Sequence, residues 1–232
     1  MGLEVRNIVS EFANEYSKYI EIYDWEIIVT IIMIIICPTT WNFVARWEFH
    51  TKFFSKLVGD NRLAADIFAH ILIEMGILRN YLYLRVVRSQ PHYPLDGSYE
   101  LTFLLVGYSL NVVGFLLNWF AFYRLGIHGI YYADYFGILF EEKVTAFPYN
   151  VLNNPLYVGS TLLFVGNAII HRSPAGILLS ILAWTMYKFA SRLENPMTDL
   201  IYSEENINAV MKINKERNRR TSQERRKLKN EK

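Results

Sequence analysis

LGIHGIYYADYFGILFEEKVTAFPYNVLNNPLYVGST, residues 125–161, is the stretch that interrupts a chain otherwise apolar enough to be membrane on either side of it. It carries eight aromatic residues (Tyr131, Tyr132, Tyr135, Phe136, Phe140, Phe147, Tyr149, Tyr157), three carboxylates (Asp134, Glu141, Glu142), three glycines before Phe140 and an Asn-Asn-Pro turn ending at Pro155. The chemistry is expected here. An aromatic face attracts a positive centre by about 0.5–2 kcal/mol, depending on desolvation, and carboxylates add charge, so the mixture suits a small cationic ligand. An interfacial loop with an aromatic belt accounts for the same composition, because Tyr and Trp gather at headgroup level in membrane proteins generally.

Working outward, 52% apolar and 16% aromatic content with four long apolar runs predicts an all-α, multi-pass membrane bundle. Three or four spans are expected, with a short intramembrane helix and an N-terminal amphipathic helix. Net charge is +2, yet residues 212–232 hold ten Lys/Arg against three Glu. The basic charge is thus local: residues 1–202 are expected to form one integral domain and 203–232 a basic cytosolic tail, suited to anionic lipid at about 1 kcal/mol per basic residue near the surface. Interleaved Glu216, Glu224 and Glu231 dilute any phosphate-binding field, so no nucleic-acid partner is expected. A single cysteine, Cys37, excludes an internal disulfide and a multi-cysteine zinc site. The five histidines lie at least twenty residues apart, which disfavours histidine boxes and excludes a His-Glu-x-x-His helix. No metal is expected. No cleavable signal peptide is read at the start, which is polar and acidic. Oligomeric state is not legible.

In chain order, Val5, Ile8, Val9, Phe12, Tyr16, Tyr19 and Tyr23 recur at steps of three and four, predicting a surface helix over residues 3–23. Residues 27–37 are apolar for eleven positions and then meet Pro38. A full span needs about twenty, so a short or re-entrant intramembrane helix is expected, with residues 38–51 returning to the interface and Arg46 and Glu48 either serving headgroups or merely snorkelling. Residues 63–84 have span length, with Asp66, His70 and Glu74 along one helical face. Arg79, Arg85 and Arg88 then suggest a cytosolic loop. Residues 101–123 are the clearest span, and Gly107 and Gly114 share a face that either a ligand or a helix backbone would approach. Residues 156–170 and 175–190 are divided by His171-Arg172-Ser173-Pro174, which permits either a hairpin of two short helices or one span plus an interfacial helix. Only the hairpin returns Glu194 to the side of Asn154 and Tyr157.

Five segments in this order resemble the phospholipid N-methyltransferase family: PTTWNFVARWEFH, LGIHGIYYADYFGIL, VTAFPYNVLNNPLYVGST, SPAGILLS and LENPMTDLIY. The second and third in succession are the specific combination. The resemblance implies methylation of phosphatidylethanolamine or its mono- and dimethyl derivatives toward phosphatidylcholine, S-adenosylmethionine as methyl donor, a phospholipid substrate, and a multi-pass endoplasmic reticulum protein, with mitochondrial or associated membranes as a further location. It also relates the chain to isoprenylcysteine carboxyl methyltransferases through the Asn-Pro-x-Tyr turn. The family's donor-binding Gly-x-Gly falls on Val112, Val113 and Gly114, so its first glycine is valine here. Its paired glutamates fall on Glu194 and Asn195, so one carboxylate is absent.

The implied site therefore puts Val112, Val113, Gly114, Glu194 and Asn195 at the donor, with Asn154, Pro155 and Tyr157 shaping the pocket. The residues themselves agree: no strand, glycine turn and helix unit of a doubly wound sheet occurs, so helices must hold the donor. The acceptor nitrogen must arrive as a free amine, for which Asp134, Glu141 and Glu142, and also His128, are the candidate proton acceptors. Two alternatives remain open: an isoprenylcysteine carboxyl methyltransferase, whose carboxylate acceptor is ill suited to an acidic loop, and a non-catalytic lipid-binding protein of the same fold.

Overall fold

The computed structural model describes residues 18–140, 144–205, 208 and 212. Its elements are α1 (Trp25–Thr51), α2 (Phe53–Val58), α3 (Asn61–Ser89), α4 (Gly97–Ile130), a 3-10 turn at Ala133–Phe136, α5 (Pro155–Ile170) and α6 (Pro174–Ile201). Trp25–Thr51, Asn61–Ser89 and Gly97–Phe136 are long and apolar enough to cross a membrane, and α5 is a shorter apolar helix. Residues 18–23 form turns; the rest of the expected surface helix lies outside the described residues, as do Glu141, Glu142 and nearly all of the basic tail.

The helix entering at Trp25 does not stop at Pro38. Asp24 caps it, accepting from the Glu26 N–H at 3.0 Å, and it continues for 27 residues. At about 1.5 Å per residue that exceeds a hydrocarbon core of about 30 Å, so a full-length helix replaces the short one expected. The reason lies in packing: Ile34, Cys37, Pro38, Trp41 and Ala45 are all buried, so one buried stripe runs unbroken through the proline. The Thr39 hydroxyl donates to Ile35 O at 2.7 Å and Asn42 Nδ2 to Pro38 O at 3.1 Å, supplying polar contacts beside the missing N–H.

Both charged residues near the end of α1 bond within the protein. Glu48 is fully buried and accepts from Phe54 N at 2.7 Å and Ser55 N at 3.3 Å, capping the first turn of α2, and also from the Ser55 hydroxyl. Arg46 donates to Leu193 O on α6. Lys52, in the left-handed region at φ 53°, donates to Tyr135 O at 2.9 Å and so ties the α1–α2 corner to the central stretch. Burial lowers its ammonium pKa, with Glu48 opposing.

α3 runs on through Arg79 to Ser89, so the three arginines belong to a helix in place of a loop. Arg85 pairs with Glu26. Buried Tyr83 donates to Phe164 O at 2.6 Å and contacts the Ser180 hydroxyl at 2.9 Å, pinning α3 to both arms of the α5–α6 hairpin. The Asp66, His70 and Glu74 stripe looks away from this core: His70 and Glu74 are exposed, and Asp66 bonds His128 Nε2 at 2.9 Å.

Only 11% of the apolar window of Gly97–Phe136 is buried, and the buried part faces α5. A Cβ on Gly114 would lie 2.6 Å from Gly159 O, and one on Gly107 2.8 Å from Gly166 O. Two glycine pairs, each seven residues apart on its own helix, therefore let the backbones touch. α4 kinks at Gly126, whose φ of 60° suits a residue without a side chain, and the following 3-10 turn packs on α1 and α3. Between α5 and α6, Arg172 takes φ 52° and the Ser173 hydroxyl accepts from Gly176 N at 3.1 Å. The break is thus a hairpin, but not one of two short helices: its first arm has 16 residues and its second, α6, has 28.

Candidate active site

The hairpin carries Glu194 back to α1, α5 and the central stretch. Three donors converge on its Oε1: Asn42 Nδ2 at 2.8 Å, Tyr132 OH at 2.5 Å and Tyr157 OH at 2.5 Å. Among the described residues no Lys, Arg or His forms an ion pair with it. Hydrogen bonds to an ionised acceptor are roughly twice as strong as neutral ones, so three of them hold the carboxylate in place while its charge stays unmatched.

Aromatic rings line the approach. Tyr157 stacks on Tyr187 with centroids 4.6 Å apart and on Trp41 at 6.5 Å, both nearly parallel. All three rings and Glu194 line a cavity of about 1000 Å³. Its wall also includes Asp134 and Tyr149 of the central stretch, Asn154 and Pro155 at the start of α5, and Asn195 on α6. Asn154 Nδ2 donates to Ser191 Oγ at 2.6 Å and to Asn195 Oδ1 at 3.3 Å, while Pro155, at the first position of α5, needs no N–H partner there.

Buried polar atoms are ordinarily hydrogen-bonded, yet Trp41 Nε1, Tyr135 OH and Tyr149 OH have no partner among the described residues, and all three residues line the cavity. Such unspent groups fit a polar ligand. Burial pushes the Tyr149 phenol above its ordinary range, and burial together with Asp134 pushes Tyr202, also in the wall, up to about 12. Both phenols stay protonated near neutral pH, as donors.

The structure thus brings together Asp134, Asn154, Pro155, Tyr157, Glu194 and Asn195. It sets Gly114 in the α4–α5 contact, and Val112 and Val113 are 58% and 49% exposed; none of the three lines the cavity. Glu141 and Glu142 fall outside the described residues. His128 is committed to Asp66. Sequence reasoning missed Trp41, Asn42, Tyr187 and Arg79 as cavity or Glu194 partners. Arg79 carried a readable signal: it continues the stripe of Ala65, Phe68, Leu72, Tyr83 and Val86, the buried face of α3.

Fold and cavity first define a class: an all-helical membrane protein in which apolar helices enclose a carboxylate, stacked rings and unspent hydrogen-bonding groups. Comparison with known proteins narrows it. The model of the family described as phospholipid methyltransferase matches residues 102–205. Phosphatidylethanolamine N-methyltransferase A of Dictyostelium discoideum is 37% identical over 202 residues, covering 87% of this chain and 94% of that protein. Phosphatidyl-N-methylethanolamine N-methyltransferase of Saccharomyces cerevisiae is 37% identical over 199 residues, covering 86% and 96%. The human phosphatidylethanolamine N-methyltransferase is 37% identical over 187 residues, covering 79% and 92%. No solved structure matches. This chain belongs to the phospholipid methyltransferase family and is an enzyme of the methyltransferase class.

Proposed function

We propose that this enzyme methylates the headgroup nitrogen of phosphatidylethanolamine, or of its mono- and dimethyl derivatives, toward phosphatidylcholine, with S-adenosylmethionine as donor. The observation that carries the reading is the Glu194 carboxylate, held by Asn42, Tyr132 and Tyr157 without a basic partner among the described residues, beside the rings of Trp41, Tyr157 and Tyr187. The relatives named for these acceptors supply the substrate class.

S-adenosylmethionine would supply an electrophilic methyl group on a sulfonium cation. Glu194 would face that positive charge, Asn195 would add an amide, and the unspent Trp41, Tyr135 and Tyr149 groups fit the polar groups of an adenosine. Asn154, tied to Ser191 and Asn195, and Tyr157 would fix the wall against which donor and acceptor meet. Much of the acceleration in methyl transfer comes from holding the reacting atoms about 3–3.5 Å apart and in line, which a rigid wall serves. Asp134, Glu141 and Glu142 are proposed to take the proton from the headgroup ammonium or to hold it. Gly114 would act through the α4–α5 contact that positions α5; Val112 and Val113 are given no part. The basic tail is proposed to lie in the cytosol, on an endoplasmic reticulum membrane protein.

Membranes containing the protein, incubated with methyl-labelled donor and each acceptor in turn, test the reading. Label is expected in phosphatidylethanolamine or its methylated forms. Label confined to a prenylcysteine ester, or in no lipid, would overturn it.

A further inference from the structure

Arg79 lines the same cavity from α3 and is only 7% exposed. Its guanidinium lies over the rings of Phe164, at 5.4 Å, and Tyr187, at 5.6 Å, and bonds Asn80 Oδ1 through Nε at 3.3 Å and Nη2 at 3.1 Å. Among the described residues no carboxylate pairs with it, whereas Arg85, two turns on, has Glu26. A guanidinium is always charged, and a buried charge is disfavoured unless something answers it. Two ring faces answer part of the charge. Asn80 Oδ1 takes one N–H from Nε and one from Nη2 and the Tyr187 hydroxyl is a further hydrogen-bond partner, which leaves the other N–H donors of the fork, whose geometry matches an oxyanion.

Tyr187 precedes Glu194 by seven residues on α6, so at about 1.5 Å per residue the two levels lie about 10 Å apart along the helix. The cavity therefore has a positive end at Arg79 and a negative end at Glu194. Ile73 and Ile77 of α3 and Phe115 and Trp119 of α4 also line the cavity, with the polar Asn80 and Asn118 among them. Ile77, Phe115 and Trp119 are largely exposed on the outer surface, which gives the cavity an apolar flank toward lipid.

We infer that Arg79 is an oxyanion anchor for one of the two substrates, opposite the cation end at Glu194. The inference rests on the proposed function. A phospholipid acceptor carries a phosphodiester near its nitrogen, and the donor carries an amino-acid carboxylate near its sulfonium, so either pairs an anion with a cation as the cavity does. The apolar flank allows acyl chains to leave beside Arg79 if the phosphodiester is the occupant.

The test uses the purified full-length chain in detergent, with Arg79→Gln and Arg79→Lys. Four probes are measured: the dissociation constants of S-adenosylmethionine and of its decarboxylated analogue, and the KM values of phosphatidylethanolamine and of a phosphate-free amine lipid. A phosphodiester anchor predicts that Arg79→Gln raises the phosphatidylethanolamine KM tenfold or more, leaving the phosphate-free lipid and both donors within twofold. A carboxylate anchor predicts a tenfold loss for S-adenosylmethionine alone. In either case Arg79→Lys, which keeps the charge and loses the fork, recovers part of the effect. All four probes unchanged, or all four weakened alike as for a purely structural residue, overturns the inference. Should Arg79→Gln fail to fold, Arg79→Lys carries the test, with a selective loss of threefold or more expected in one arm and equal values overturning it. If the unaltered enzyme methylates no lipid amine, the proposed function fails, while the two donor dissociation constants still decide whether Arg79 holds a carboxylate.

Discussion

Glu194→Gln changes one oxygen to an amide and removes a charge from a group on which Asn42, Tyr132 and Tyr157 converge. A hydrogen bond to a charged group is worth about 1.5–3 kcal/mol and a neutral one about 0.5–1.5, so the three retained bonds weaken by roughly 1 kcal/mol apiece. That loss falls on the fold, because all three donors belong to the protein. Contact between the carboxylate and a ligand cation is a separate quantity. Removing one partner of a buried charged contact costs about 3–5 kcal/mol, and the half-buried position of Glu194 favours the lower end. At about 1.4 kcal/mol per tenfold, S-adenosylmethionine should bind at least a hundredfold more weakly to Glu194→Gln. Tyr157→Phe removes one donor and keeps the charge, so it should cost the fold and change donor affinity less than tenfold. Asn195→Glu adds a second carboxylate at the cavity wall and should strengthen donor binding, or at least leave it intact. The assay is equilibrium binding of labelled donor to purified protein in detergent, with thermal unfolding followed in parallel. A Glu194→Gln protein that folds like the parent and keeps its dissociation constant within fivefold would refute the reasoning.

Gly159→Ala places a methyl 2.2 Å from Asn118 Oδ1 and 2.8 Å from Gly114 O, an overpacking expected to cost about 1–3 kcal/mol. A thermal midpoint equal to the parent's would mean that α4 and α5 separate more easily than their glycines suggest. Burial, with Arg88 and His92 adding, holds the His171 imidazole below its ordinary 6.5. A base held neutral by folding contributes stability present above pH 6.5 and lost as the pH falls toward the lower folded value. Unfolding measured across that window should show a fall that His171→Gln flattens; identical profiles for the two proteins would remove His171 as the cause. Finally, protease added to sealed microsomes should remove a tag placed at Lys232, as ten basic residues in 212–232 suggest for a cytosolic tail. Protection of the tag until detergent is added would reverse that orientation.

The amino-acid sequence by itself determined the helical membrane class and the hairpin as one of two outcomes of the break at residues 171–174. Those features are local: apolar run length, turn residues and charge density are properties of neighbours in the chain. Of residues 125–161, Asp134, Asn154, Pro155 and Tyr157 reach the cavity wall, while Trp41, Arg79, Tyr187 and Glu194 come to it from outside that stretch. Tertiary structure alone decided how long α1 is, because the lost hydrogen bond at Pro38 is offset by a buried stripe whose partners lie in other helices. It decided which carboxylate is held, since Glu194 and Asn42 meet across 152 positions of chain, and no periodicity within one helix names the helix it will face. The same holds for the glycines of α4, where a close approach was legible but its partner, the backbone of α5, was not. Arg79 is the clearest division. Its place on the buried face of α3 could be read from spacing, but as a charge followed by Arg85 and Arg88 it suggested the end of a span. Only the rings of Phe164 and Tyr187, brought to it by the hairpin, made the interior of the bundle a place where a guanidinium can reside.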